Sequence, residues 1–180
     1  MRLLTLSTPL VLTLACREKV PNDNPTDTGS DTEEVNYESG CFVVDGGDGY
    51  KYLNDAIAMA DEGSQISPVG CTDFEHEEKV VIDKSIRLVG IGQDRFTLVA
   101  PVNETGITIT ADNVEISDFA ISSTRSGISV EGGSNVHLHD LTISEMGNFA
   151  IKSTDADVQL DDLTLWNNGD GAVNIDGGSV

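Results

Sequence analysis

From about residue 80 onward, apolar and polar residues alternate in short bursts, and the bursts recur. "NVEISDFAIS" at 113–122, "NVHLHDLTIS" at 135–144 and "DVQLDDLTLW" at 157–166 carry one pattern at one offset. Val114, Val136, Val158 and Val180 stand 22 residues apart. Ile116, Leu138 and Leu160 keep that step, as do Phe119, Leu141 and Leu163, and then Ile121, Ile143 and Leu165. A further column, Ile107, Ile128, Ile151 and Val173, steps by 21, 23 and 22. That drift assigns the length variation to one connection, between the Ile121-type and Ile107-type positions.

Alternation with period 2 gives a strand one inward face. Each repeat therefore encodes three short strands, as in Ile107–Ile109, Val114–Ile116 and Phe119–Ile121. Residues 106–180 show no helical periodicity. Three strands and no helix per turn predict a coil of parallel sheets, whose rungs bury their apolar faces only by stacking about 4.8 Å apart.

At this point the chain resembles the right-handed parallel β-helix, or pectin-lyase-like, family. "VVIDKSIRLVGIG" at 80–92 is similar to an early rung of that family, and "DGGDGYKYLNDAIAMADEGSQI" at 45–66 to the phrase that opens many such domains. The resemblance covers about 42–180 and implies an all-β, right-handed parallel β-helix solenoid closed at its N-terminal end by an amphipathic helix. Tyr52, Leu53, Ala56, Ile57 and Ala60 supply the apolar stripe for that helix. Function does not follow from fold, since one architecture hosts many activities.

The N-terminus has a different character. "MRLLTLSTPLVLTLAC" has a basic start, a short apolar core and a small residue before Cys16, the layout of a secretory signal over 1–15. Cys16 is the expected lipidation site, although Thr13 and Leu14 depart from the usual lipoprotein pattern. "REKVPNDNPTDTGSDTEEVNYESG" at 17–40 is too polar to bury a core, so 16–40 is expected to be a disordered acidic linker. These features predict an exported, lipid-anchored protein of a bacterial cell envelope or surface, with the β-helix domain over 41–180. Val180 falls halfway through a rung with no cap after it. Solenoids cover their last rung, so the expectation is a chain truncated at its C-terminus.

Charge narrows the partners. The chain has 10 basic and 31 acidic residues, a formal net charge of −21, so nucleic acid is excluded for want of basic patches. With Cys16 assigned to lipid, Cys41 and Cys71 remain as an even pair in an exported chain, and a disulfide is the expected pairing.

Three groups of residues are candidates for chemistry. Asp118, Asp140 and Asp162 form a column 22 apart that alternation from Val114 and Ile116 turns inward at a tight corner. Carboxylates about 5 Å apart must accept turn N–H bonds, share protons or bind a cation, for which calcium is the suitable ion. His137 and His139 face outward beside Glu115, Gln159, Ser117 and Asp161, a set that suits zinc or copper and equally suits a solvated face. On the outward column of the Ile107-type strands, Thr108, Ser129, Lys152 and Asn174 lie alongside Thr110, Glu131, Thr154 and Asp176. Glu131, Lys152 and Asp176 are the candidate acid–base group there. The Arg-x-Lys and Gly-His-Gly elements of the resembling hydrolases are absent. The function expected is therefore a non-catalytic, surface-tethered β-helix presenting a flat face to glycan or protein. The alternatives are a polysaccharide lyase, hydrolase or epimerase, and a structural spacer or adhesin segment.

Overall fold

The computed structural model describes residues 40–69, 71, 75–122 and 125–180. The expected signal over 1–15, Cys16 and nearly all of the expected linker lie outside the described residues.

The chain begins with a hairpin, β1 (Phe42–Val44) and β2 (Gly49–Tyr50), followed by the helix α1 (Leu53–Met59). Five turns of a parallel β-solenoid come next. The first turn holds β3 (Gln65–Ser67), β4 (Glu75–Glu77) and β5 (Val80–Ile82), and the second β6 (Arg87–Val89), β7 (Thr97–Val99) and β8 (Thr105–Ile109). In the third lie β9 (Glu115–Ser117), β10 (Ala120–Ser122) and β11 (Ser126–Glu131), and in the fourth β12 (Val136–His139), β13 (Thr142–Ser144) and β14 (Phe149–Thr154). The fifth is β15 (Val158–Asp161), β16 (Thr164–Trp166) and β17 (Gly171–Asp176). First, second and third strands stack separately, giving three sheets with the orders β15-β12-β9-β6-β3-β1-β2, β16-β13-β10-β7-β4 and β17-β14-β11-β8-β5.

The sequence columns are the sheet registers. Leu88, Ile116, Leu138 and Leu160 pair in succession, as do Leu98, Ile121, Ile143 and Leu165, and Val80, Ile107, Ile128, Ile151 and Val173. Ile116, Ile121, Ile128, Leu138, Ile143 and Ile151 are fully buried, so each column is a stack of side chains inside the coil.

Two connections, not one, vary in length. The chain from Ser144 to Phe149 is longer by one residue than that from Ser122 to Ser126, and Met146 fills the extra space in the core. The chain from Glu131 to Val136 also exceeds that from Thr154 to Val158 by one. There Gly132 and Gly133 take up the extra residue in the left-handed region, at φ 72 and 95°. The two insertions offset each other, which is why the Val114 column keeps a constant step.

Helix α1 buries Leu53, Ala56, Ile57 and the following Ala60, and packs against β1, β2 and β5. Tyr52 is 44% exposed and stands outside the expected stripe, because it precedes the helix in extended backbone. Cys41 and Cys71 are disulfide-bonded. Their 30-residue separation corresponds to about 3–4 kcal/mol of stabilisation by loop closure.

Candidate functional site

The corners of the coil account for the aspartate column. Asp118, Asp140 and Asp162 adopt φ of 63, 52 and 48°, the left-handed region in which Asp and Asn are the most readily accommodated non-glycine residues. A left-handed residue breaks the period-2 alternation, so the expected inward turn does not occur: Asp118 and Asp140 are half-buried and Asp162 is exposed. The ladder here is backbone, with the Asp118 N–H donating to the Asp140 carbonyl at 3.2 Å. The side chains bond to neighbours rather than to one another. Ser117 Oγ donates to Asp118 at 2.9 Å, and Asp140 Oδ2 lies 2.8 Å from His139 Nδ1. An amide ladder does exist at another corner, where Asn135 Nδ2 donates to Asn113 Oδ1 at 2.9 Å.

On the outward face of the first sheet the two histidines stand in a polar network. Their rings lie 4.4 Å apart, centroid to centroid. His137 Nε2 meets Asp161 Oδ2 at 2.8 Å, and His139 Nε2 meets Glu115 Oε1 at 3.2 Å. Arg87 Nε donates to Glu115 Oε2 at 2.7 Å and Gln159 Nε2 to Asp161 at 2.7 Å. The Asp140 carboxylate raises the His139 pKa above 6.5, partial burial opposes it, and Glu115 adds to the rise. The Arg87 guanidinium holds the Glu115 carboxyl below the usual range, and Gln159 and His137 do the same for Asp161. Three of the four imidazole nitrogens thus meet separate carboxylates, those of Asp161, Asp140 and Glu115, on three different rungs. Among the described residues no group of three or more His, Cys, Asp or Glu side chains is placed to hold a metal ion.

The third sheet carries a groove of about 430 Å³ on its outward face. Along its floor run Thr108, Ser129, Lys152 and Asn174, register partners on successive rungs. Thr105, Ser126, Asn148 and Phe149 line the side where these strands begin, with Lys79, Glu104 and Arg125 at that margin and Glu131 at the far end of the strands. Lys79 Nζ donates to Glu104 at 2.8 Å, and Ser129 Oγ to Glu131 at 3.2 Å. Glu104 titrates below its ordinary range because Lys79 holds it, with Arg125 contributing.

Of the expected acid–base group, Glu131 and Lys152 reach this groove. Asp176 shares the column of Glu131 and Thr154 but does not line the groove. Phe149 is the lining residue that alternation hides. Counting back from the buried Ile151 puts Phe149 inside, but Ala150 and Ile151 are both buried, so the phase shifts and Phe149 stands on the same side as Lys152. The rung below shows the same shift at Gly127, where a Cβ would meet Ile143 Cγ2 at 2.5 Å and the Ala150 carbonyl at 2.6 Å. Gly127 and, one rung further down, Gly106 each stand one residue before a member of the Ile128 column, and such a glycine is the signal that could have marked the bend. Trp166, half exposed at the end of β16, belongs to the second sheet and does not join the groove.

Comparison with protein-family models, with curated proteins and with solved structures gives no match. Among the described residues no helix is long and apolar enough to cross a membrane.

Proposed function

We propose that this chain is a non-catalytic, surface-tethered β-solenoid, related to the pectin-lyase-like proteins, that binds glycan along the outward face of its third sheet. The tether is the lipid-anchored Cys16 with the acidic linker after it. The observation that carries the reading is the groove. It is an open trough with a row of hydroxyl and amide groups in register on its floor and an aromatic ring at one side. Sugars present hydroxyls at regular intervals and apolar ring faces between them, and this lining offers a partner for each. Catalysis is not favoured, because Glu131 and Lys152 are both exposed, Asp176 is outside the groove, and Glu104, on the opposite margin from Glu131, is held by Lys79.

Binding of the full chain to a panel of immobilised polysaccharides tests this reading. The expected result is retention on at least one glycan without cleavage, weakened roughly three- to tenfold by Phe149→Ala, the loss of one aromatic contact. Release of shortened products that stops in Glu131→Gln would replace the reading with an enzymatic one. Failure on every glycan, with capture by a surface protein instead, would move the groove to protein recognition.

A further inference from the structure

We infer that the groove selects a glycan bearing an acidic substituent, a carboxylate or a sulfate, and that Lys152 is the residue that reads it. This rests on the glycan reading above and names the ligand class within it. Only seven Lys and Arg residues fall within 40–180, and three of them line this one groove. In a chain with 31 acidic residues, that concentration gives the groove three cations against the two carboxylates of Glu104 and Glu131.

The three cations are not equivalent. Lys79 is bonded to Glu104, and Arg125 also acts on that carboxylate, so the strand-start margin already alternates positive, negative, positive. Lys152 has no ion pair with any described carboxylate and stands exposed on the floor. Its register partners are Ser129 on the rung below and Asn174 on the rung above, both lining the groove. An acidic substituent at this point finds an ammonium beside the Asn174 amide, while the Ser129 hydroxyl already donates to Glu131. The Glu131 carboxylate repels it from the far end of the strands and fixes the direction in which it lies.

The remaining charge of the protein works against an anion at long range. At physiological ionic strength screening acts over about 8 Å, so distant carboxylates fade while a contact with Lys152 persists. Affinity for an acidic glycan should therefore rise from very low to moderate salt, unlike the steady fall of a polybasic site.

Titration of the full chain with a uronic-acid oligosaccharide, with the same oligosaccharide after reduction of its carboxyl groups to alcohols, and with a sulfated oligosaccharide and its unsulfated parent tests the inference. The expected result is at least tenfold tighter binding of one acidic ligand over its uncharged counterpart. Lys152→Met should abolish that preference, bringing the acidic ligand to the affinity of its uncharged counterpart in the same variant, and Lys152→Arg should keep it. The acidic ligand preferred, carboxylated or sulfated, identifies the substituent. Equal binding of acidic and uncharged ligands would overturn this inference and leave the glycan reading intact. Binding of none of the four would overturn this inference, and failure on every glycan of the polysaccharide panel would overturn the glycan reading as well.

Discussion

An aspartate in the left-handed region costs less than a β-branched residue there, since its short side chain bonds locally and keeps clear of the following carbonyl. This explains why the column Asp118, Asp140 and Asp162 is acidic without invoking a cation. The residues turn the chain at φ of 48 to 63°, and the carboxylates of Asp118 and Asp140 serve Ser117 and His139. The column was legible as a 22-residue repeat, but its facing was not. Alternation assumes extended backbone, and one left-handed residue reverses the count. Asp140→Asn should keep stability within about 0.5 kcal/mol, because Asn tolerates the same conformation, whereas Asp140→Val should lose about 1–2 kcal/mol. Urea unfolding of both variants checks this. Equal losses in the two, with a wild-type melting temperature raised by millimolar calcium, would show a cation-bridged column instead.

Among the elements, helix α1 shows what a local reading reaches and what it misses. Its buried positions follow from the apolar spacing of Leu53, Ala56, Ile57 and Ala60. Its cap does not, because Tyr52 at the N-cap makes no side-chain capping bond. The cap comes from Glu78, a full turn of the coil away in sequence. Its carboxylate accepts the N–H groups of Leu53 and Asn54 at 2.7 and 3.0 Å and lies 2.9 Å from His76 Nε2. Burial pushes the Glu78 carboxyl up, but the His76 contact and the two N–H bonds together hold it below its ordinary range. No sequence rule pairs residues so far apart. Nor did any foretell the antiparallel β1–β2 and β1–β3 pairs that join the parallel stack. Glu78→Gln should lower stability by about 1–2 kcal/mol, as loss of a charged cap does. Hydrogen exchange should locate the loss at the amides of Leu53 and Asn54. Unchanged protection there would show that the helix does not depend on this carboxylate.

For the whole molecule, the balance between a net charge of −21 and a few specific ion pairs should appear as a dependence of stability on pH. The histidine network sets part of it. The folded-state pKa of His139 lies above 6.5, so its contribution is fully present below about pH 6.5 and is lost as pH rises through the folded value. Glu115 is shifted down from 4.5, so its contribution is present above about pH 4.5 and is lost as pH falls through the folded value. The two overlap between about pH 4.5 and 6.5, where Glu115 is charged and His139 protonated. Mutual repulsion of the acidic surface is already fully developed above about pH 6, where the carboxylates are ionised, so it is a constant term above about pH 6.5, and salt screens it far more than it screens contacts of about 3 Å. Stability should therefore peak on the acidic side of neutrality and fall between pH 6.5 and 8. In His139→Gln that fall should shrink at both low and high salt. Thermal unfolding of both proteins at three pH values and two ionic strengths separates the terms. Parallel pH profiles for wild type and variant at high salt would show that the outward network contributes nothing to the pH response.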